Sequence, residues 1–176
     1  MRVINLYGGP GSGKSTTAAG LFYELKRRHV SVELVTEYAK DLLYSGHLTN
    51  LQDQQEYIFA EQNFRLHRLR NKVDWVITDS PIMLSTIYAS SSYPARAQFC
   101  ELVRATHDTY SNVNIVLQRP EVYQHAGRVQ TLEQSQQLDI QIEEMLQANN
   151  FSYDIFQTKQ EVVTDIIAEF FPFWPD

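Results

Sequence analysis

The residues with the clearest chemical potential form a glycine-rich run near the start of the chain. The run reads Gly8, Gly9, Pro10, Gly11, Ser12, Gly13, Lys14, Ser15 and Thr16. Glycine, lysine and serine stand at the defining positions of a phosphate-binding, or Walker A, loop. Backbone N–H groups in such a loop converge on phosphate oxygens, and glycine lets the main chain approach them closely. We expect the whole run to bind ATP, with Lys14 at the β and γ phosphates and the Ser15 hydroxyl on magnesium.

Two carboxylates follow apolar runs of strand length. Asp79 comes directly after residues 75–78, and Glu37 comes shortly after residues 32–35. Ligands of open parallel sheets gather at the carboxyl ends of the strands, so both acids are expected in one crevice. We predict that Asp79 is the second magnesium ligand and that Glu37 is the base for an acceptor hydroxyl. The alternatives are a turn-forming or capping Asp79 and a Glu37 that favours a helix dipole.

Residues 119–131 follow an apolar run and stay polar until the next predicted helix begins. Phosphoryl transfer builds negative charge on equatorial oxygens, which an arginine on a closing lid can neutralise while water is excluded. We predict a small helical lid here, with Arg119 in the nucleotide site, Gly127 as a pivot and Arg128 as the catalytic clamp. The alternatives are an ordinary connection and solvated surface charges.

A basic strip is predicted on the helix over residues 51–73. Arg65, Arg68 and Lys72 recur there at helical spacing, with Arg70 nearby. Such a strip can hold an acceptor phosphate or a DNA strand, and the alternative is a solvated helix face.

Apolar runs of strand length alternate with amphipathic segments, which is typical of an α/β protein with a parallel sheet covered on both faces. The predicted strands are residues 3–7, 32–35, 75–78, 113–117 and 151–156. The predicted helices are residues 15–28, 51–73, 95–106, 132–148 and 160–171. Packing of the last helix, more than a binding patch, explains the aromatic residues Phe170, Phe171, Phe173 and Trp174.

The composition favours one cytoplasmic domain. The chain has 176 residues, of which 43% are hydrophobic, so residues 1–176 suit a single core. A net charge of −6 argues against a broad nucleic-acid surface, and the five histidines lack metal-ligand spacing. With one cysteine, no apparent signal peptide and no apolar run long enough for a membrane, we expect a reducing compartment.

The order of these features resembles a known group of enzymes. The phosphate loop, Thr36-Glu37, a helix with glutamines and Asp79 are similar to nicotinamide riboside kinase domains, deoxynucleoside kinases and bacteriophage nucleotide or modified-base kinases. The resemblance implies a three-layer P-loop NTPase fold with strand order 2-3-1-4-5 and Glu37 as the base. It also implies that one or more of three glutamines contact the acceptor: Gln54, Gln55 and Gln62. Deoxynucleoside kinases usually carry Glu-Arg-Ser after the third strand, whereas this chain has Asp79-Ser80-Pro81, which argues against simple deoxynucleoside phosphorylation.

The leading expectation is therefore an ATP- and magnesium-dependent kinase. Its acceptor would be a nucleoside, a nucleotide or a hydroxymethylated pyrimidine base, free or in DNA, without a membrane partner. A P-loop ATPase or GTPase acting as a regulatory switch is the alternative, although the Asn-Lys-x-Asp string at residues 71–74 is not a convincing base-specificity motif. A nucleotide-binding module without catalysis is disfavoured because Lys14, Ser15 and Asp79 are all retained.

Overall fold

The fold of the computed structural model is a five-stranded parallel sheet. The structure describes residues 1–46, 54–119 and 131–173. The strands are β1 (Arg2–Tyr7), β2 (Val32–Val35), β3 (Trp75–Thr78), β4 (Ser111–Gln118) and β5 (Asp154–Gln157). They pair in parallel in the order β2-β3-β1-β4-β5, which confirms the predicted topology.

Helices cover both faces of the sheet. They are α1 (Lys14–Arg27), α2 (Tyr38–Tyr44), α3 (Gln55–His67), α4 (Leu84–Tyr88), α5 (Arg96–His107), α6 (Leu132–Ala148) and α7 (Val162–Phe170). One apolar cluster joins the sheet to α1 and α7, and the other joins it to α3, α4, α5 and α6. The three-layer α/β class predicted from the sequence is thereby confirmed.

The central strand β1 shows why the sequence forms a sheet buried on both sides. Val3 and Tyr7 contribute to one cluster, whereas Ile4 and Leu6 contribute to the other. Successive side chains of a strand point to opposite faces, so an unbroken apolar run is what such a strand requires. The phosphate loop follows β1 directly, and it therefore starts from the best-buried part of the molecule.

The prediction of one helix over residues 51–73 is wrong at its end, because α3 stops at His67. Turns follow, and Asn71 has a positive φ of 60°, a conformation that a continuing helix does not allow. Arg68 is therefore the C-cap, and Lys72 lies beyond the helix. Arg65 Nη2 is 2.5 Å from Asp41 Oδ2 on α2. The basic strip predicted on one helical face does not exist in this form.

The aromatic residues after α7 behave as the packing interpretation predicts. Phe171 is 1% exposed, and its ring centroid lies 4.6 Å from that of Trp75. Phe170 packs against the same cluster, whereas Phe173 is 95% exposed. Trp174 lies outside the described residues. The end of α7 is thus fixed to β3 through one buried ring.

Replacing Phe171 with alanine is expected to lower the free energy of unfolding by about 3–5 kcal/mol, because a buried ring leaves a cavity beside Trp75. Chemical denaturation followed by circular dichroism measures the change. Phe173→Ala is the matched control, since an exposed ring contributes within about 0.5 kcal/mol. Equal effects of the two substitutions would contradict the packing described for this end of the chain.

Candidate active site

The phosphate loop has the backbone geometry that anion binding requires. Gly8, Gly11 and Gly13 have φ values of 142°, 88° and 88°, which residues with a Cβ rarely adopt. A Cβ at Gly13 would also lie 2.5 Å from Cγ2 of Thr158, just after β5. No side chain of the described residues caps the start of α1. Its first N–H groups are therefore available to an anion.

Lys14 is the first residue of α1, and its ammonium group folds back over the loop. Nζ donates to the carbonyl oxygens of Gly8 at 2.5 Å and Gly9 at 3.2 Å. Burial lowers the pKa of Lys14, while nearby carboxylates, first Glu37 and then Asp79, raise it. A triphosphate can draw this flexible ammonium away from the two carbonyl groups and neutralise its charge.

Ser15 and Asp79 form the pair that the sequence predicted for magnesium. Ser15 Oγ donates to Asp79 Oδ2 at 2.6 Å. Asp79 is 4% exposed, and its Oδ1 has no hydrogen-bond partner in the described part of the chain. A buried carboxylate oxygen without a donor fits a cation, and magnesium commonly takes one or two protein oxygens besides phosphate and water. Within residues 1–46, 54–119 and 131–173, no three His, Cys, Asp or Glu side chains cluster as metal ligands.

Glu37 lies in the same cleft, at the N-cap position of α2. Its side chain is half-buried, and Oε2 is 3.9 Å from Lys40 Nζ. Burial raises the pKa of Glu37, whereas Lys14 and then Lys40 lower it. The mutual electrostatic influence of Glu37 and Lys14 means that the candidate base lies near the lysine of the phosphate loop. Glu37 does not cap α2 through its side chain, so local helix capping does not account for its placement.

Gln62 joins the two loops that carry the acids. Its Oε1 accepts from Tyr38 N at 3.0 Å, and its Nε2 donates to Thr36 O at 3.3 Å. The same Nε2 lies 3.4 Å from Thr78 Oγ1, next to Asp79. Gln62 is 2% exposed, so its amide is used inside the protein. Sequence reasoning offered Gln62 as an acceptor contact; the structure places it as the connection between the loops after β2 and β3.

Gln62→Leu is expected to lower the free energy of unfolding by about 1–3 kcal/mol, because it leaves buried polar partners without a hydrogen bond. It should also lower kcat, because the loop that carries Glu37 loses its tie to β3. Denaturation and steady-state kinetics measure the two effects. Gln98→Leu is the control, since Gln98 is exposed on α5. A stable Q62L variant with only a raised KM for the acceptor would instead make Gln62 an acceptor contact.

Arg119 contacts the backbone of the phosphate loop, and its predicted contact with the nucleotide stays a prediction. Its Nη1 donates to Pro10 O at 2.6 Å, and its Nη2 donates to Asp139 Oδ2 at 2.7 Å. Asp139 Oδ1 in turn accepts from Gly9 N at 2.5 Å. Sequence reasoning missed Asp139, since an aspartate among polar residues on α6 gives no signal without knowledge of this long-range contact. Together these groups fix the first half of the loop to α6.

The remaining predicted site residues are partly exposed, partly buried and partly outside the described residues. Thr16 is exposed on the first turn of α1, and Ser12 is buried under the loop, where its carbonyl oxygen accepts from Thr158 Oγ1 at 2.7 Å. Gln55 is buried at the start of α3. The predicted clamp Arg128, its pivot Gly127 and the rest of residues 120–130 lie outside the described residues.

Tyr88 on α4 is a second residue that sequence reasoning missed. Its side chain packs against the apolar cluster under α3 to α6. Burial, and after it the charges of Glu37 and Asp139, raise the pKa of Tyr88 to about 12. The phenol therefore stays protonated at neutral pH and lies within electrostatic range of the candidate base. Its single sequence signal was its place in the segment after Asp79.

The sheet order, the glycine loop after β1 and the acid after β3 define a P-loop protein. The sequence profile of the AAA_28 family, described as an AAA domain, matches residues 3–162, and the chain belongs to this family. No curated protein gives a significant sequence match. In the described segments, no helix combines the length and apolar character that crossing a membrane requires.

Two solved kinases share the fold. APS kinase CysC of Mycobacterium tuberculosis, in complex with AMPPNP and APS, is 12% identical with a TM-score of 0.51, covering 93% of this chain and 92% of that chain. Deoxyadenosine kinase from M. mycoides, solved with the product dCMP and a flexible dCDP, is 14% identical with a TM-score of 0.58. That alignment covers 96% of this chain and 97% of the other. At identities this low, the structural likeness is evidence about the fold alone: the chain has the fold of P-loop kinases.

Proposed function

We propose that the protein is a kinase that transfers the γ-phosphoryl group of ATP to a hydroxyl group of a nucleoside, a nucleotide or a hydroxymethylated pyrimidine base. The observation that carries the proposal is the convergence of Lys14, the Ser15–Asp79 pair and Glu37 on one cleft. A phosphate-binding loop alone serves many activities. A half-buried carboxylate that faces the loop adds what a hydroxyl acceptor needs.

The chain's own groups divide the work between binding and transfer. Backbone N–H groups between Gly8 and Ser15 hold the phosphate oxygens, and Lys14 neutralises charge at the β and γ phosphates. Ser15 and Asp79 are the residues that would hold magnesium, which when bound shields the phosphate charge and supports its transfer. Glu37 orients the acceptor hydroxyl towards the γ-phosphorus.

In the transfer step, the bond between the γ-phosphorus and the β–γ bridging oxygen breaks, and a bond to the acceptor oxygen forms. The bridging oxygen leaves on ADP. The proton of the acceptor hydroxyl passes to the Glu37 carboxylate and from there to solvent. Arg128 is proposed as the clamp on the transferring group, and this role rests on the sequence alone.

ATP as the donor is supported by the two kinases that share the fold, one solved with AMPPNP and the other with nucleotide products. The departure from Glu-Arg-Ser after β3 argues against an unmodified deoxynucleoside as the acceptor. A regulatory ATPase or GTPase remains the competing function, because it needs the same loop and the same Asp79. Glu37 alone does not separate the two functions, since an attacking water also has a proton to lose; the identity of the labelled product separates them.

The test is to incubate the protein with magnesium and γ-labelled ATP. The acceptor panel contains nucleosides, nucleotides, nicotinamide riboside, hydroxymethylated pyrimidine nucleosides and DNA containing the modified base. We expect label in one organic acceptor class and none with the Lys14→Ala variant. Labelled inorganic phosphate alone, across the whole panel, would reject the kinase and favour the switch.

A further inference from the structure

Lys40 lies at the junction of the two halves of the site. It stands one turn after Glu37 on α2, and its Nζ is 3.9 Å from Glu37 Oε2. The same ammonium donates to Ser15 Oγ at 3.0 Å. Ser15 Oγ also contacts Asp79, so one chain of polar contacts runs from the candidate metal side to the candidate base. The proposed function gives Lys40 no role.

The position of Lys40 matters because Glu37 is otherwise held weakly. The Glu37 carboxylate makes no hydrogen bond to another side chain of the described residues, and Lys40 is its ion-pair partner there. The nearby ammonium of Lys14 is occupied by Gly8 and Gly9 carbonyls, and a bound triphosphate would take it up. A half-buried carboxylate that makes no hydrogen bond to a side chain depends on the cation beside it for a defined rotamer.

We propose that Lys40 is a positioning residue that holds the Glu37 carboxylate in the cleft, facing the transferring phosphoryl group and the acceptor hydroxyl. The inference rests on the proposed function and adds to it the group that keeps the base in place. Lys40 acts through Glu37: its other contact, with Ser15 Oγ, would be given up to a bound metal ion, so we expect nucleotide binding not to depend on Lys40.

The electrostatic surroundings of Glu37 agree with this role. Lys14 approaches it from α1, Lys40 and Asp41 from α2, and Asp79 from the end of β3. The Tyr88 phenol on α4 also lies close enough for the charge of Glu37 to raise its pKa. Two carboxylates thus repel Glu37 and two ammonium groups attract it. Without Lys40, the Glu37 carboxylate is attracted only by Lys14, whose charge a bound triphosphate would neutralise.

The experiment is a double-mutant cycle with Lys40→Met and Glu37→Gln, read as kcat, KM for ATP and calorimetric Kd for a nonhydrolysable ATP analogue. Lys40→Met removes the charge with little change of volume. We expect it to lower kcat about 10- to 100-fold while KM and Kd for the nucleotide stay within about twofold. Lys40→Arg should recover most of kcat. In the Glu37→Gln background, Lys40→Met should change kcat by less than about twofold, because its partner is gone.

Lys26→Met is the matched control, since Lys26 on α1 forms an exposed ion pair with Glu33 on β2. Multiplicative losses in the double variant, or a loss of nucleotide affinity in Lys40→Met, would overturn the inference. A crystal structure of Lys40→Met gives a reading that needs no activity: Glu37 should leave its present orientation, and an unchanged carboxylate would overturn the inference. A wild-type protein that labels no acceptor, or a fully active Glu37→Gln variant, would instead reject the proposed function itself.

Discussion

Replacing Lys14 with alanine is expected to reduce phosphoryl transfer by at least about 1000-fold. The ammonium lies over the loop at the Gly8 and Gly9 carbonyl groups, within the field of Glu37 and Asp79. No other described cation extends from the start of α1 towards the γ-phosphate. Initial rates with labelled ATP measure the effect, and calorimetry shows weaker nucleotide binding.

Lys26→Ala is the control for the loss of a lysine from α1. Lys26 lies in the last turn of the same helix and pairs with Glu33 on the surface, so its removal should leave the rate within about twofold. If Lys14→Ala kept more than a tenth of the wild-type rate, Lys14 would not be the phosphate lysine.

Glu37→Gln is expected to lower kcat by about 10²- to 10⁴-fold while the Kd for ATP stays within about twofold. Glutamine keeps the size of the side chain and its ability to accept a hydrogen bond, but it cannot take up the acceptor's proton. The groups that bind the nucleotide, namely the phosphate loop and Asp79, are unaltered by this substitution. Single-turnover measurements separate the chemical step from product release and show where the loss occurs.

Glu33→Gln is the matched control, because Glu33 lies on β2 only four positions earlier and its carboxylate is on the surface beside Lys26. It should be fully active. A fully active Glu37→Gln variant would show that the base assignment is wrong, even if transfer itself is confirmed. Together with Lys14→Ala, the pair of substitutions distinguishes loss of phosphate binding from loss of acceptor activation.

The sheet was predictable because β1 to β4 each contain a short, mostly apolar run. Strand β5 has only two apolar residues and begins at Asp154, three residues later than predicted. Strands β2 and β3 have the predicted bounds, and α6 does as well. The strand order came from the resemblance to small kinases, and the structure confirms it. The short helices α2 and α4 were not predicted, because a few residues give no complete period of apolar positions.

The sequence predicted the parts of the site that are local patterns, but it did not predict the contacts between residues distant in sequence. The glycine loop and the two acids are local patterns, and each acid ends a recognisable strand or the turn after it. The contacts of Gln62 with Thr36 and Thr78, and of Asp139 with Gly9, join residues far apart in sequence. Periodicity and spacing along one chain cannot reveal such pairs, because nothing in either partner's neighbourhood marks the other.

The most direct test of the central claim is a crystal structure with a nonhydrolysable ATP analogue, magnesium and the acceptor that the labelling assay identifies. We expect the triphosphate on the loop from Gly8 to Ser15, with Lys14 Nζ at the γ-phosphate. We also expect the Glu37 carboxylate within hydrogen-bond distance of the acceptor hydroxyl. A loop without phosphate, or a Glu37 side chain turned out of the cleft while the acceptor is bound, would contradict the claim.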